Sequence, residues 1–421
     1  MLTAVVGINW GDEGKGRMVD LLSADYDIVC RYQGGNNAGH TVINDYGKIV
    51  LNLLPSGISR EGTVNVMGNG MVIDLEHLVH EIQSLRDKGI HIGSDNLKIS
   101  DKAVICLPWH KMQDIMEEDR LKDKKFGSTR RGIGPVYADK YMKKAIRMGD
   151  LFAPDKLPEK VADLTEWKNL TVRGYGHEPV KAEDILAWLH EFGDPIKPYI
   201  TDVSDYLYDA ATAGENIMFE AQLGALRDID FGIYPYTSSS CTLAGYATIG
   251  AGIPGLKLDK TIGIMKAYSS CVGEGPFTVE MFGDEAEALR RAGGEYGAAT
   301  GRPRRVGAFD IPASRYGVRM HGADCIALTK MDVLSYMDKI PVCVAYDING
   351  EITEKFPVGE RLNAAKPVFE YMEGFGDISG CRKPEDLPKA AMDYIRYLEA
   401  AVGCKIKYVS VGAGRDEYVE L

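Results

Sequence analysis

The segment 11–16 reads Gly-Asp-Glu-Gly-Lys-Gly and follows the apolar run 4–8. This order predicts a strand, a glycine-rich turn and a helix, and backbone N–H groups at such a helix start bind phosphate. Lys15 adds a positive charge, but no magnesium-binding hydroxyl follows it, so the standard phosphate-loop pattern is only half met. Asp12 and Glu13 stand inside the loop, where carboxylates are unfavourable unless a metal ion or a proton transfer requires them. The loop therefore predicts chemistry at a phosphate, with an ordinary glycine-rich turn as the alternative.

A second glycine-rich segment, 31–41, carries a histidine after the predicted strand 28–30. Only Ala38 and Gly39 separate His40 from Asn37. Beside a phosphate loop, this histidine could donate a proton or a hydrogen bond to a phosphate oxygen. The alternative is a histidine that only holds its own loop.

A third motif, Thr329-Lys330-Met331-Asp332, follows the apolar run 325–328. A carboxylate at Asp332 can accept hydrogen bonds from both guanine N1–H and the guanine 2-amino group. Adenine lacks this pair of donors, so the motif predicts selection of GTP over ATP. The Lys330 stem can lie along the base. The alternative is a loop in which Asp332 caps a helix.

Three further segments could hold anions in this acidic chain. Residues 301–305 contain three arginines after the small residues 297–300, which indicates a mobile loop that grips an anionic substrate. Residues 128–135 combine hydroxyls and two arginines with a glycine–proline turn, and 234–240 end in a run of hydroxyls. The alternatives are a solvated basic loop and ordinary polar turns.

Short apolar runs alternate with helical patterns along the chain. The predicted strands are 4–8, 28–30, 64–67, 217–219, 261–268, 325–329, 341–346 and 406–411, and the predicted helices are 74–88, 108–123, 181–192, 203–213, 284–291 and 388–402. This alternation predicts an α/β fold with one large, mostly parallel sheet covered by helices. We expect a single domain over 1–421, with a helix-rich subregion at about 151–215 that is either an insertion or a set of crossover helices.

The composition narrows the functional class. A net charge of −12 over 421 residues argues against a general nucleic-acid or membrane surface. The eight cysteines form no C-x-x-C pair, which predicts reduced thiols in a cytoplasmic protein. The first apolar run is too short for a signal peptide, and no stretch has the length of a membrane span.

Taken together, these segments resemble the adenylosuccinate synthetase family, and the resemblance runs nearly end to end. The matching blocks are W-G-D-E-G-K-G at 10–16, R-Y-Q-G-G-x-N-A-G-H-T at 31–41, G-N-G at 68–70, R-G-I-G-P-x-Y-x-D-K at 131–140, D-I-D-x-G-x-Y-P-Y at 228–236, V-G-x-G-P-F at 272–277, T-G-R-x-R-R at 300–305, L-T-K-x-D-V-L at 328–334 and the turn 410–412.

The resemblance implies a P-loop-NTPase-like sheet with helical insertions, and an enzyme that joins L-aspartate to IMP with GTP and Mg²⁺. It implies that Asp12 removes the N1 proton of IMP, that the 6-oxygen then attacks the γ-phosphate, and that His40 acts as the acid. It further implies metal ligation by Asp12 and the Gly39 backbone oxygen. The family is a homodimer, and one basic residue crosses to the IMP phosphate of the neighbouring subunit.

The resemblance also implies three sets of binding residues. For GTP they are Gly11, Glu13, Gly14, Lys15, Gly16, Arg17, Gly39, His40, Thr41, Arg304, Lys330, Met331, Asp332, Ser410, Val411 and Gly412. For IMP they are Asp12, Lys15, Asn37, Ala38, Thr129, Lys143, Gln222, Leu223, Ser238 and Arg302. For aspartate they are Ala298, Ala299, Thr300, Gly301, Arg302 and Arg304.

Three positions depart from the family pattern. Lys143 stands where an arginine usually crosses between subunits, and Arg17 replaces a lysine. Leu223 occupies the position of a base-contacting glutamine, with Gln222 one residue earlier. Either the loop shifts to deliver Gln222 or that contact is lost. The alternatives to the ordinary ligase are a ligase for another 6-oxopurine nucleotide and a GTP-binding switch protein.

Overall fold

A computed structural model describes residues 1–44, 46–296, 301 and 303–421. Its main sheet has ten of the described strands, in the order β20-β19-β15-β11-β1-β10-β2-β5-β7-β9. Every neighbouring pair is parallel except β19 and β20. The predicted α/β fold with a large, mostly parallel sheet is therefore confirmed.

The strands and helices are as follows. The strands are β1 Leu2–Gly7, β2 Ile28–Arg31, β3 His40–Asn44, β4 Gly47–Leu51, β5 Val64–Met67, β6 Val72–Ile73, β7 Leu97–Ser100, β8 Val104–Ile105, β9 Ile200–Thr201, β10 Ile217–Glu220, β11 Lys260–Lys266, β12 Ser269–Cys271, β13 Arg305–Gly307, β14 Phe309–Asp310, β15 Cys325–Thr329, β16 Lys339–Ile348, β17 Glu351–Thr353, β18 Ala365–Glu373, β19 Ile406–Ser410 and β20 Tyr418–Glu420. The helices are α1 Lys15–Leu22, α2 Leu75–Arg86, α3 Pro108–Leu121, α4 Ile133–Tyr141, α5 Leu157–Gly174, α6 Ala182–Gly193, α7 Val203–Thr212, α8 Ala247–Ala251, α9 Gly283–Gly293, α10 Ile311–His321, α11 Glu360–Asn363 and α12 Lys389–Val402.

The predicted strand 341–346 exists, but it lies in a different sheet. It is part of β16, which pairs with β14, β17 and β18 in a separate four-stranded sheet. The β16–β17 and β16–β18 pairs are antiparallel. An apolar run shows that a strand is buried but does not show which strand it pairs with, so the pattern could not separate the two sheets.

The helix-rich region returns to the main sheet. Helices α5 and α6 contribute apolar residues to the core that also contains α2 and β7. Strand β9 then pairs with β7 at the sheet edge, and α7 leads back to the central strand β10. The segment 151–215 thus contains helices that pack on the core and a helix that connects two strands of the main sheet, and its description as an insertion or as crossover helices stays a prediction.

The strands of the main sheet form part of a buried interior. The main-sheet strands are mostly fully buried, including all six residues of β1. The eight cysteines, all in the described part of the chain, are free thiols. None of the described helices is both long enough and apolar enough to cross a membrane.

Six adjacent parallel strands of the main sheet place their carboxyl ends side by side. In order these are β19, β15, β11, β1, β10 and β2. Ligands of open α/β sheets bind at such an edge. The predicted phosphate, guanine and purine segments follow β1, β15 and β10, so this topology brings them to one edge.

Candidate active site

The phosphate loop joins β1 to α1 in a tight left-handed path. Gly11, Asp12 and Gly14 all have positive φ, with 58° at Asp12. A non-glycine residue in this region is uncommon, and strained backbone of this kind is typical of functional sites. Gly14 is the N-terminal cap of α1, so the first N–H groups of the helix point toward the loop.

Glu13 holds this loop from inside. Its Oε1 accepts hydrogen bonds from the backbone N–H groups of Gly11 at 2.7 Å and Asn9 at 3.2 Å. Its Oε2 accepts from Lys15 Nζ at 2.7 Å, and both side chains are nearly inaccessible. The Glu13 carboxylate therefore shapes the loop, and a contact between Glu13 and GTP would come from its backbone.

Asp12 is placed differently from Glu13. Its side chain is 29% exposed and faces the Arg304 guanidinium, with Oδ2 3.3 Å from Nε. Arg304 lies just before β13, in the arginine-rich segment. The predicted base and a predicted aspartate-binding arginine are thus in contact, although nearly three hundred residues separate them in the chain.

His40 is the first residue of β3 and is buried against α1. Its Nδ1 hydrogen-bonds to the Glu220 carboxylate at the end of β10. Ser56 completes the group, donating from its backbone N–H at 2.7 Å and its hydroxyl at 2.6 Å to Glu220. The close packing needs Gly16, because a side chain there would overlap His40. Gly39 and Thr41, on either side of His40, are exposed.

The charges of this group follow from its burial. Burial would by itself raise the pKa of Glu220, but the adjacent His40, Arg31 and the hydrogen bonds lower it. Burial also lowers the pKa of His40, with Glu220 acting against that change. We therefore assign an ionised Glu220 that accepts a hydrogen bond from the Nδ1–H of a neutral His40. His40 Nε2 is buried and has no hydrogen-bond partner in the described part of the chain.

The predicted guanine motif follows β15. Met331 is fully buried in the core, so only its backbone is available to a ligand. Lys330 has φ 57° and its Nζ donates to the Gly293 carbonyl at 2.7 Å. Burial raises the pKa of Asp332 above its ordinary value, and the Arg17 charge opposes the rise. Asp332 Oδ1 is buried without a hydrogen-bond partner among the described residues.

The 410–417 turn lies beside this motif and is tied to α1. Arg17 donates to the Ser410 hydroxyl, to the Gly414 carbonyl at 2.6 Å and to the Glu417 carbonyl at 3.0 Å. Val411, which is buried, donates its N–H to the Glu417 carbonyl at 3.0 Å. Gly412 is half-buried in the same turn.

Gln222 lies in the loop after β10, and its side chain points toward the loop that follows β2. Its side chain is fully buried, and Nε2 donates to the Gly35 carbonyl at 2.5 Å. Gln222 therefore braces the 33–37 loop from inside. Leu223 is half-buried with φ 58° and packs against Gly11 of the phosphate loop.

The other predicted IMP residues lie in the 33–38 loop, in the serine run and in the segments on either side of α4. Tyr137 on α4 accepts from the Gly34 N–H at 2.9 Å, which joins α4 to the 33–37 loop. The start of α4 also lies against the serine run, because a side chain at Gly134 would meet Ser239 at 3.5 Å. Among these predicted residues the structure leaves Asn37, Ala38 and Ser238 half-buried, and it exposes Thr129 and Lys143.

Part of the predicted aspartate site cannot be placed. Ala298, Ala299, Thr300 and Arg302 lie outside the described residues. Gly301 is exposed and has φ 65°. Two arginines are predicted to bind aspartate, Arg302 and Arg304, and of these the structure describes Arg304.

Sequence reasoning missed two buried carboxylates of the site and a lysine. Glu220 ends β10 next to a glycine-containing loop, and this position at the end of an apolar strand could have indicated a functional carboxylate. Lys266 ends β11, and Glu295 follows α9. A charged residue that closes an apolar strand, as Lys266 does, indicates a paired or functional charge. Glu295 carried no comparable signal.

Possible metal ligands are few in this site. No group of three or more histidine, cysteine, aspartate or glutamate side chains within the described ranges could hold a metal ion. A magnesium ion would therefore depend on Asp12, backbone oxygens and substrate phosphates, which is a common arrangement for this ion.

This geometry defines the class of protein. A strained glycine loop follows the central strand, and two strands away lies a carboxylate with one oxygen that has no hydrogen-bond partner among the described residues; both features are typical of a nucleotide-binding α/β protein. The sequence model of the adenylosuccinate synthetase family matches residues 4–419. The chain belongs to the adenylosuccinate synthetase family, and the predicted class, a GTP-dependent ligase of purine biosynthesis, is confirmed.

Full-length relatives support the same assignment. The adenylosuccinate synthetase of Caldanaerobacter subterraneus is 44% identical, covering 100% of this chain and 99% of that protein. The Streptococcus gordonii enzyme is 43% identical over 98% of this chain and 96% of its own length.

Solved structures extend the comparison to the fold. The fully ligated adenylosuccinate synthetase of Plasmodium falciparum superimposes with a TM-score of 0.92 at 36% identity, covering 100% of this chain and 99% of that chain. A cyanophage S-2L succinoaminodeoxyadenylate synthetase bound to dGMP and dATP superimposes with a TM-score of 0.60 at 18% identity, over 100% of this chain and 95% of that chain. The latter likeness concerns the fold alone.

Proposed function

We propose that this chain joins L-aspartate to IMP at the expense of GTP, releasing adenylosuccinate, GDP and phosphate through a 6-phosphoryl-IMP intermediate. One observation carries the proposal. Asp332 Oδ1 and His40 Nε2 are both buried and lack a hydrogen-bond partner among the described residues. A buried polar atom without a partner is costly, and since these two atoms follow strands near the ligand-binding edge of the sheet, we infer that a ligand supplies the missing bond at each.

Asp332 selects guanine in this proposal. Its carboxylate accepts from N1–H and from the 2-amino group of GTP, whereas ATP offers no matching donors. The nearby Arg17 charge favours the ionised carboxylate. The 410–417 turn closes over the base, and the residues of the phosphate loop, from Gly11 to Lys15, bind the phosphates.

The first chemical step makes a leaving group. The 6-oxygen of IMP leaves poorly as it stands, so Asp12 takes the N1 proton and O6 attacks the γ-phosphorus as the bond to GDP breaks. N1–H is a weak acid compared with a carboxylic acid, so proton removal and bond formation are coupled. His40 Nε2 faces the transferring phosphate, whose negative charge favours the protonated, donating form of the ring. Glu220 keeps the ring oriented through Nδ1.

The second step forms the carbon–nitrogen bond. The aspartate amine attacks C6, the C6–O bond breaks, phosphate leaves and the amine loses a proton. Arg304 and the predicted loop 298–304 hold the aspartate carboxylates, since an arginine fork matches a carboxylate in bidentate geometry. Arg304 already contacts a carboxylate, that of Asp12.

The residues at the loop fit a magnesium ion. Asp12 offers a partly exposed carboxylate, and Gly39 lies on an exposed stretch where its carbonyl oxygen is available. Mg²⁺ prefers oxygen ligands and is usually held by one or two carboxylates plus substrate phosphates. When bound, the ion offsets the charge that develops on the phosphates.

The purine specificity and the assembly are further parts of the proposal. Leu223 supplies an apolar surface where the family pattern has a glutamine, and this favours a ligase variant for another 6-oxopurine nucleotide as the second candidate. We further propose a cytoplasmic homodimer in which Lys143, exposed after α4, reaches the IMP phosphate of the neighbouring subunit.

Release of GDP with IMP and L-aspartate, added singly and together, tests this function. We expect turnover only with both, together with GTP and Mg²⁺. Turnover without IMP would support the switch alternative, and turnover with GMP or dGMP but not IMP would support the variant ligase. Asp12→Ala and His40→Ala should bind ligands yet lose about 10²–10⁴-fold in turnover. Retention of more than roughly a tenth of the activity in either variant contradicts the acid–base roles.

A further inference from the structure

Glu295 is a fully buried carboxylate at the centre of a group of cations. Its Oε1 accepts hydrogen bonds from Lys266 Nζ at 2.8 Å, Lys330 Nζ at 3.1 Å and the Tyr268 hydroxyl at 2.5 Å. Its Oε2 accepts from Arg304 Nη1 at 2.8 Å. The side chain itself is 0% exposed. We call these five residues the Glu295 cluster.

The cluster joins parts of the chain that follow different elements. Lys266 ends β11, Lys330 follows β15 and Arg304 precedes β13, while Glu295 lies two residues after α9. The Arg304 N–H also donates to the Glu295 carbonyl at 2.9 Å, so backbone and side chain are both fixed to the same residue. Glu295 therefore sets the relative positions of three separate segments.

The charges show why the cluster depends on this carboxylate. Burial would by itself raise the pKa of Glu295, but Lys266, Lys330 and Arg304 lower it. Burial lowers the pKa of Lys266 to about 8, even though Glu295 acts in the opposite direction. Without the negative charge, cations packed this closely would repel one another in a region of low dielectric constant.

We propose that Glu295 is a positioning residue that couples the guanine end of the site to its aspartate end. The inference rests on the proposed function for the identity of the two ligands. Lys330 lies beside the base-selecting Asp332, and Arg304 lies beside Asp12 at 3.3 Å. Because one carboxylate holds both cations, a displacement of Lys330 also displaces Arg304.

Glu295→Gln tests this role, because it keeps the shape of the side chain and removes its charge. We expect kcat/KM for GTP and for L-aspartate each to fall about tenfold, the loss of roughly one charge-assisted hydrogen bond. KM for IMP should stay within about twofold, since no member of the cluster is placed at IMP.

A matched control for Glu295→Gln removes another carboxylate–arginine pair of the same region. Glu280 pairs with Arg305 at 2.9 Å in the same arginine-rich segment, yet Glu280 contacts neither Lys330 nor Arg304 in the described contacts. Glu280→Gln should leave all three KM values within about twofold. Glu295→Asp keeps the charge and should recover part of the loss, and it replaces the glutamine variant if that variant does not fold.

Two results would overturn the proposal. One is a Glu295→Gln enzyme whose GTP and aspartate parameters equal those of the wild type, and the other is an equal rise in KM for all three substrates. Direct titration with a fluorescent GTP analogue separates this test from that of the proposed function. If the wild type lacks IMP-dependent turnover but binds the analogue, the ligase assignment fails, while unchanged analogue binding by Glu295→Gln still refutes the positioning role.

Discussion

Replacing Asp332 by asparagine exchanges a carboxylate for an amide at the position that we propose binds guanine. The carboxylate can accept from both N1–H and the 2-amino group of guanine. The amide has one acceptor and one donor group, so its NH₂ would face the 2-amino group of GTP. Xanthine carries an oxygen at this position, and that oxygen accepts the amide N–H. We therefore expect Asp332→Asn to lose GTP and to gain XTP.

The magnitude follows from the burial of this atom. Asp332 Oδ1 has no partner within the residues that the structure describes, so the protein itself cannot replace a lost ligand bond. A hydrogen bond to a charged group contributes about 1.5–3 kcal/mol. Losing one such bond and gaining a donor–donor contact costs at least about 3 kcal/mol, which is about 10²-fold in kcat/KM for GTP.

The assay compares nucleoside diphosphate release from GTP and XTP at saturating IMP and L-aspartate. Asp338→Asn is the matched control, because Asp338 lies in the same segment but is exposed. The control should keep the wild-type ratio of GTP to XTP use. An Asp332→Asn enzyme that still prefers GTP, or that loses both nucleotides equally, would refute the reasoning about base recognition.

Two other predictions concern the histidine and the packing. Glu220→Gln removes the charge that supports the pKa of His40, so kcat should fall about 10–100-fold and the alkaline limb of its pH profile should move to lower pH. An unmoved limb in a folded variant would show that Glu220 does not act through His40. Gly317→Ala on α10 would place a methyl group on the Ile8 carbonyl and should lower the free energy of unfolding in urea by about 1–3 kcal/mol. Gly174→Ala, at the open end of α5, is the control and should be neutral or stabilising, and equal effects of the two changes would contradict the packing argument.

The parts of the site that follow strands were predictable from sequence. A strand, its loop and the next helix are local, so the segment around Lys15 and the motif at Lys330 could be identified from short patterns. Their meeting at one sheet edge follows from parallel pairing, since parallel strands point their carboxyl ends the same way.

The side-chain partnerships within the site were not predictable in this way. Glu220 and His40 are 180 positions apart, and they lie on strands of two different sheets, β10 and β3. Glu295 gathers partners from three segments, and neither its spacing nor its neighbours in the chain indicate this. Periodicity reports which face of an element is buried, but it does not report which distant polar atom completes a buried charge.

The contacts of Arg17 give a structural reason for an arginine where the family pattern has a lysine. A lysine carries its donors on a single nitrogen, whereas the planar guanidinium spreads them over three nitrogens. Arg17 uses two of these nitrogens to reach the Ser410 hydroxyl and the Gly414 and Glu417 carbonyls. Since Arg17 lies in the first turn of α1, two residues after Lys15, the start of α1 is tied to the 410–417 turn. In the proposed function, Arg17 therefore links the phosphate loop to the guanine end of the site, and Glu295 links the guanine end to the aspartate end.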